Sequence, residues 1–165
     1  MERNITLKEL AVADLPVVKQ IYDWYVLHST ATFHTKPVTI DELREFIYIG
    51  HPRFKSWLIL NQEQPVGYCY LTNYKKRQAY DKTAEVTIYL VQDCNAKGIG
   101  KAALTQLEAH AHAAGFKNLL AIISGDNDQS IHFFEKNGYF KCAHFKKVGE
   151  KFGKVLDVVG YQKEI

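Results

Sequence analysis

The chain has 165 residues, of which 47% are apolar and 13% aromatic, so it can bury a core and is not a disordered or low-complexity chain. We therefore expect a single domain over residues 1–165. The net charge of +3 is spread along the sequence and forms no basic cluster, which argues against a nucleic-acid partner.

In chain order, the first third of the sequence predicts a strand followed by two helices. Residues 4–9 alternate weakly between polar and apolar, as a strand does. Asp14 is a candidate N-cap for the first helix, which has one apolar side. Thr39 and Glu42 have the spacing of a capping box, and the helix that they open is expected to run to about Ile49.

The remaining elements predict an α/β protein. Periodicity, turn residues and glycines predict a hairpin of strands 56–60 and 66–71, a strand at 85–91, a helix at 98–113, a strand at 119–123, a helix at 131–136, and closing strands near 140–147 and 155–162. This order is typical of a mixed β-sheet flanked by helices.

Several classes of protein are excluded by what the sequence lacks. No apolar run approaches the roughly 18 residues of a membrane span, and we expect no signal peptide. The three cysteines have no CxxC spacing, and His110 and His112 point to different sides of a helix, so we expect no metal site. Cysteine usage of this kind favours a cytoplasmic protein.

A glycine-bearing loop between a buried strand and a helix is the strongest functional pattern. Free N–H groups and the dipole at a helix start bind phosphate, and Gly98 and Gly100 allow close approach of a ligand. Lys97 and Lys101 add positive charge. The glycine pair alone is more typical of a plain tight turn, and the loop does not distinguish a mononucleotide from a coenzyme.

This loop resembles the pyrophosphate loop of the GNAT family of N-acetyltransferases, usually Arg/Gln-x-x-Gly-x-Gly/Ala, with Asn95 at the first position. Residues 127–139, an Asn followed by a short helix that ends in Gly-Tyr, resemble the second coenzyme-contacting segment of that family. The runs 79–85, 114–117 and 32–38 resemble the phosphinothricin and methionine sulfoximine acetyltransferase branch. The likeness covers nearly the whole chain.

The resemblance implies a GNAT fold, in which splayed strands hold acetyl-CoA, and the transfer of an acetyl group to a small amino-acid-like amine. It implies a homodimer as well. Backbone groups of Ile88 and Leu90 would pair with the pantetheine arm, and the Leu90 N–H would face the thioester carbonyl. The implied coenzyme-binding residues are Ile88, Tyr89, Leu90, Asn95, Ala96, Lys97, Gly98, Ile99, Gly100, Lys101, Asn127, Ser130 and Phe134.

Glu85 is the candidate base, because it begins an otherwise apolar strand and matches the glutamate of the related branch. The alternative is an exposed glutamate at a strand end. Many family members protonate the leaving thiolate with a tyrosine, and here Phe134 stands at that position. Tyr139 could donate the proton in place of that tyrosine, but a role as an aromatic residue of the core is favoured.

The resemblance also implies an acceptor pocket whose cations would suit a carboxylate or phosphinate. Its candidate residues are Phe33, Tyr74, Lys75, Arg77 and Tyr80. Alternatively, Lys75 and Arg77 are ordinary charged residues of a solvated loop. Phe152 stands where the branch carries a histidine, which leaves the acceptor open, and the flanking Lys151 and Lys154 are expected to lie on the surface of a hairpin.

Three alternatives remain open from the sequence. The chain could acetylate another amine, such as a polyamine, an aminoglycoside or a protein N-terminus. It could bind acetyl-CoA as a non-catalytic sensor, which Phe134 and the missing histidine support to some degree and Glu85 opposes. A nucleotide-phosphate-binding module is the most distant alternative.

Overall fold

All seven strands of the described residues belong to one mixed β-sheet. The computed structural model describes residues 4–94 and 98–165. The strands are β1 (Ile5–Glu9), β2 (Ser56–Asn61), β3 (Gln64–Asn73), β4 (Thr83–Leu90), β5 (Asn118–Ser124), β6 (Phe140–Lys151) and β7 (Lys154–Glu164). The α-helices are α1 (Leu15–His28), α2 (Ile40–Leu43), α3 (Ile99–Ala113) and α4 (Asp128–Lys136). The strand order is β1-β2-β3-β4-β5-β7-β6, which confirms the predicted mixed sheet flanked by helices.

The sheet separates two apolar cores because side chains alternate between its faces. On β4, Val86 and Leu90 join the core formed with α3, whereas Tyr89 packs on the opposite side with α1. On β3, Leu71 joins the α3 core and Tyr70 joins the α1 core. By the same alternation, Glu85 belongs to the face of the sheet that α1 covers.

The second helix is shorter than predicted. The cap is present, because the Glu42 amide donates to Thr39 Oγ1 at 3.1 Å. However, α2 is one turn long and does not reach Ile49. Residues 46–49 are all β-branched or aromatic, with weaker helix propensity, and the Tyr48 hydroxyl is held by Asn73 Oδ1 at 2.6 Å. Tertiary contacts therefore end the helix early. The other predicted elements are present, with ends shifted by a few residues.

The strands β4 and β5 separate soon after they begin. They pair in parallel over three positions, which are Thr83 with Asn118, Ala84 with Leu119 and Glu85 with Leu120. The antiparallel pairing of β4 with β3 continues as far as Leu90. The second half of β4 therefore has a neighbouring strand on one side only, and a wedge opens between β4 and β5. This is the splay that the sequence resemblance implied.

Two further observations bear on the environment of the chain. Within the described ranges, no helix combines the length and apolarity that crossing a bilayer requires. Cys69, Cys94 and Cys142 are all free thiols. The cytoplasmic location expected from cysteine usage stays a prediction.

Gly67 is expected to be essential for the close packing of β3 on β4. A Cβ at this position would lie 2.4 Å from the Tyr89 carbonyl oxygen and 2.8 Å from Leu90 Cδ2. Because the nearest atom belongs to the backbone of a central strand, we expect Gly67→Ala to lower the free energy of unfolding by about 1–3 kcal/mol. Urea titration would measure the change.

The matched control is Gly149→Ala on β6, where the new Cβ would lie 3.7 Å from Leu156 Cβ, an ordinary van der Waals distance. This control is expected to change the unfolding free energy by no more than about 0.5 kcal/mol. Equal unfolding midpoints for the two variants would contradict the assigned role of Gly67.

Candidate active site

The wedge between β4 and β5 opens into a cleft of about 1180 Å³. This volume is large enough for an extended, coenzyme-sized ligand. Its walls are built from β4, β5, the loop after α1 and the first turns of α3 and α4. The lining residues include Glu85–Leu90, Ala121–Ile123, Ser29–His34, Gly98, Gly100, Lys101, Asn127, Ser130 and Phe134.

The open edge of β4 presents backbone groups to this cleft. The Val91 N–H donates to the Val66 carbonyl at 2.8 Å, so the backbone of Val91 points toward β3. Because backbone groups alternate along a strand, those of Ile88 and Leu90 point the other way, into the wedge. The Leu90 carbonyl accepts a hydrogen bond from the Tyr25 hydroxyl. An extended ligand can therefore form hydrogen bonds with the backbone of this edge, as an additional β-strand would.

The start of α3 forms one end of the cleft. Gly98 is its N-cap, with a left-handed φ of 75° that favours glycine. Gly100 packs close to α4, since a Cβ there would lie 3.3 Å from the ring of Phe133. Ile99 is buried in the α3 core, so only its backbone can meet a ligand, while Lys101 lines the cleft.

The dipole and free N–H groups at this helix start suit a phosphate. Three residues of the predicted loop lie outside the described residues, and their coenzyme contacts stay predictions; they are Asn95, Ala96 and Lys97.

The start of α4 forms the facing wall. The Ser130 amide donates to Asn127 Oδ1 at 3.2 Å, which caps the helix and fixes the Asn127 carboxamide at the cleft. Phe134 also lines the cleft but is only 7% exposed. Its ring lies edge-on to that of Tyr139, with 4.9 Å between centroids. The Tyr139 hydroxyl donates to Glu108 at 3.3 Å, away from the cleft walls, so this tyrosine is a core aromatic.

Glu85 lies where the two strands separate. It is half-buried, lines the cleft, and pairs across the sheet with Thr72 on β3 and Leu120 on β5. Burial raises the pKa of its carboxyl from an ordinary 4.5 to about 7, and the nearby Lys75 ammonium opposes this rise. A carboxyl of this kind can accept or release a proton close to neutral pH.

Of the residues predicted to bind the acceptor, only Phe33 is among the described residues that line the cleft. Phe33 lines it and is 44% exposed. Lys75 is close enough to Glu85 to lower its pKa, and its Nζ lies 5.5 Å from the centre of the Tyr74 ring. The Tyr74 and Tyr80 rings meet edge-on at 5.5 Å. With Arg77 they form an exposed loop beside the described cleft walls, and their acceptor roles stay predictions.

A polar cluster on the α1 side of the cleft was not foreseen from the sequence. The Tyr22 hydroxyl lies 2.6 Å from Thr32 Oγ1 and 2.5 Å from His34 Nδ1. The His34 ring stacks on Phe46 at a centroid distance of 6.2 Å. Tyr22 lies on the apolar side of the first helix, and the need of a buried tyrosine hydroxyl for a hydrogen-bond partner is the signal in the sequence that could have indicated this cluster.

The expectation that Lys151 lies on the surface of a hairpin was wrong. Its side chain reaches the loop after α1, and the residue is only 3% exposed. The ammonium group donates to the Thr32 carbonyl at 2.8 Å and to the Tyr25 carbonyl at 3.5 Å. Burial lowers the pKa of Lys151 from its ordinary value. The tip of the hairpin is thereby tied to the loop that carries Phe33. Lys154, by contrast, is exposed as expected.

The sequence is similar to a family model and to curated proteins that are all acetyltransferases. Residues 7–159 match the family model described as an acetyltransferase (GNAT) domain. The chain is 31% identical to a phosphinothricin N-acetyltransferase of Streptomyces viridochromogenes, over 98% of this chain and 88% of that protein. It is 26% identical to an L-methionine sulfoximine/L-methionine sulfone acetyltransferase of Pseudomonas aeruginosa, over 96% of this chain and 94% of that protein.

A solved structure is similar along the whole chain. A GNAT superfamily phosphinothricin acetyltransferase from Sinorhizobium meliloti, in complex with acetyl-CoA, superposes with a TM-score of 0.89. The two sequences are 30% identical, and the match covers 98% of this chain and 88% of that one.

Glu85→Gln is expected to make the thermal stability of the chain less sensitive to pH. Because the pKa of Glu85 is higher in the folded protein, the folded state holds this proton more tightly than the unfolded state does. The resulting stabilisation is complete below pH 4.5 and is lost as the pH rises through about 7. The Tm of the wild type should therefore fall relative to that of Glu85→Gln across this interval, as measured by scanning fluorimetry in matched buffers.

Glu63→Gln, in the exposed β2–β3 turn, is the matched control and should track the wild type. A Tm difference between wild type and Glu85→Gln that stays constant over the interval would contradict the raised pKa.

Proposed function

The chain belongs to the acetyltransferase (GNAT) family and is an acetyl-CoA-dependent N-acetyltransferase, and from this premise we propose an acceptor and a base. The acceptor is the amine of a small amino-acid-like compound of the phosphinothricin or methionine sulfoximine kind. The base is Glu85. The observation that carries the proposal is the position of this carboxyl, half-buried in the cleft wall where β4 leaves β5, with a pKa of about 7.

The cleft has the features that acetyl-CoA needs. When bound, acetyl-CoA supplies an acetyl thioester. The Ile88 and Leu90 backbone groups would pair with the amides of its pantetheine arm, as strand edges pair with peptides. The start of α3, from Gly98 to Lys101, would hold the pyrophosphate. Asn127 would add a carboxamide donor beside the arm, because its Oδ1 already serves as the helix cap.

Glu85 has the properties required of the base. An ammonium group has no lone pair, so the acceptor must lose a proton before its nitrogen can attack the acetyl carbon. Glu85 would take that proton, directly or through a water molecule. One N–H of the open β4 edge, that of Ile88 or Leu90, would donate to the carbonyl oxygen as negative charge develops there, and the other would pair with the pantetheine arm. The neutral nitrogen then forms the new C–N bond, and the C–S bond breaks with its electron pair leaving on sulfur. The second proton of the attacking nitrogen passes to solvent water or to the thiolate.

Protonation of the leaving thiolate needs no protein donor in this proposal. Phe134 occupies the position where many relatives carry a tyrosine, and Tyr139 is bonded to Glu108 instead. A thiol pKa of about 8.5 makes the thiolate a tolerable leaving group, which water can protonate.

The charges near Glu85 favour an acidic acceptor. Lys75 lowers the pKa of Glu85 and would attract a carboxylate or phosphinate, and Arg77 adds a second cation to the same exposed loop. Phe33 would give an apolar contact to the acceptor side chain. A polyamine would meet unfavourable charges here.

Glu85→Gln should abolish most of the turnover while leaving coenzyme binding intact. We expect kcat to fall by about 10²–10⁴-fold, the usual range for loss of a general base, with the KM for acetyl-CoA unchanged. The measurement is thiol release from acetyl-CoA with phosphinothricin, methionine sulfoximine, ordinary amino acids, a polyamine and a short peptide. Glu63→Gln serves as the control and should behave as the wild type.

The pH profile gives a second readout of the same base. For the wild type, kcat/KM for the acceptor should rise with pH and level off above a midpoint near the pKa of about 7. Lys75→Met should move this midpoint upward, because it removes the charge that lowers the pKa. Full activity of Glu85→Gln, or coenzyme binding without turnover of any amine, would refute the proposal.

We also propose that the chain forms a homodimer through the β6–β7 hairpin. The strand β6 is at the edge of the sheet, where a second chain can pack. The hairpin exposes five large apolar side chains, namely Phe140, Phe145, Val148, Phe152 and Val155. Apolar surface concentrated in this way is typical of an interaction site.

Light scattering after size-exclusion chromatography tests the dimer. The wild type should have twice the 18.9 kDa mass of one chain, and the double variant Phe145→Ser, Val155→Ser should have the mass of one chain. Val12→Ser replaces an equally exposed apolar residue away from the hairpin and should stay dimeric. A wild type of 18.9 kDa would contradict the proposal.

A further inference from the structure

One imidazole at the cleft is held by a chain of buried hydroxyl groups. Thr32 and Tyr22 are each 4% exposed, and their oxygen atoms lie 2.6 Å apart. The Tyr22 oxygen lies 2.5 Å from His34 Nδ1, on the other side. The main chain of Thr32 is itself fixed, because its carbonyl accepts the hydrogen bond from the buried Lys151.

The direction of hydrogen bonding along this chain of hydroxyl groups sets the form of the imidazole. Each hydroxyl has a single hydrogen to donate. When Thr32 donates to Tyr22, the Tyr22 hydrogen is directed at His34 Nδ1, which is then an acceptor, whereas the opposite direction would place a hydrogen on Nδ1. A neutral imidazole with an accepting Nδ1 carries its hydrogen on Nε2. Burial raises the pKa of Tyr22, so its hydroxyl stays protonated and keeps this hydrogen bond near neutral pH.

His34 lies at the acceptor end of the cleft. Its ring stacks on Phe46, and the Phe46 ring lies 6.1 Å from that of Tyr70 on β3. Tyr70 is two residues before Thr72, the cross-strand partner of Glu85. All five of these side chains line the cleft, on the face of the sheet that α1 covers.

The ring nitrogen opposite the Tyr22 contact points out of the buried cluster. His34 is exposed as a residue, whereas Tyr22 beneath it is buried. Since Nδ1 is directed at Tyr22, Nε2 lies on the side of the ring away from this contact. The coenzyme-binding walls described above come instead from the β4 edge, α3 and α4.

We propose that His34 is a specificity-determining residue that donates its Nε2 hydrogen to the acidic group of the acceptor. The inference rests on the proposed function, because it assigns a recognition contact within that same site. The imidazole would work together with Lys75, which supplies charge, whereas His34 supplies a directed hydrogen bond. The Thr32–Tyr22 pair holds the ring in position and does not itself touch the acceptor.

Two substitutions separate recognition of the acceptor from support of the loop. Asparagine places an acceptor where Nδ1 was and nothing where Nε2 was, so His34→Asn keeps the Tyr22 contact and loses the donor. Glutamine reaches farther and places an NH2 group near the Nε2 position. For methionine sulfoximine, we expect kcat/KM to fall about 10-fold in His34→Asn and to recover to within about 3-fold of wild type in His34→Gln. The KM for acetyl-CoA should not change in either variant.

The carboxamide of methionine sulfoximine identifies the group that is recognised. The loss caused by His34→Asn should be clearly smaller for this uncharged analogue than for the acid. Equal losses for acid and amide would overturn the proposal, as would an asparagine variant that behaves as the wild type.

Nuclear magnetic resonance tests the imidazole without any need for turnover. In ¹⁵N-labelled wild type at alkaline pH, long-range proton–nitrogen spectra should show His34 with its hydrogen on Nε2, and Tyr22→Phe should remove this preference. The His34 signal is assigned by its absence from His34→Asn. A hydrogen on Nδ1 in the wild type would overturn the proposal.

The same spectra distinguish failure of the proposed acceptor function from failure of the proposed role of His34. If methionine sulfoximine shifts the His34 Nε2 signal but is not acetylated, recognition by His34 is supported and the proposed acceptor function fails. If it is acetylated and the signal does not move, the acceptor function stands and the proposal for His34 fails.

Discussion

The separation of β4 from β5 after Glu85 is the constraint on which the rest of the structure depends. Strand edges inside a protein need hydrogen-bond partners, and here the second half of β4 has a strand on one side only. The backbone groups of Ile88 and Leu90 are therefore directed at a cleft instead of a neighbouring strand. The absence of a side chain at Gly67 permits β4 to pack closely on β3 along this length.

The low polarity around this opening explains the electrostatics of the site. Rings of Tyr22, Tyr68, Tyr70 and Tyr89 pack together on the α1 side of the sheet. The burial that they create penalises negative charge, and it raises the pKa of each of these tyrosines as well as that of Glu85. One apolar environment thus keeps the hydroxyls protonated and brings a carboxyl into the range where it can exchange a proton. Lys75, on the exposed side, limits the effect.

Features that depend on neighbouring residues in the chain could be predicted from the sequence, whereas those that depend on distant segments could not. The Thr39 cap, the glycine start of α3 at Gly98 and the strand carrying Glu85 are local signals, and the structure contains all three. The burial of Lys151 depends on Thr32, which lies 119 positions away in the chain. The residues next to Lys151 in the sequence therefore predicted only that it lies on the surface of a hairpin. The contact between Tyr22 and His34 likewise depends on the path of the loop between them.

The contact between Lys151 and Thr32 has a consequence for how the site is assembled during synthesis. The strand β7 lies between β5 and β6, so β6 joins the sheet only through a strand that is made after it. The hairpin tip cannot bring Lys151 to Thr32 until β7 has left the ribosome and paired with β5. The open edge of β4, by contrast, is synthesised well before that moment. The loop that carries Phe33 and His34 therefore gains its tie to Lys151 only after both strands of the β6–β7 hairpin have been synthesised.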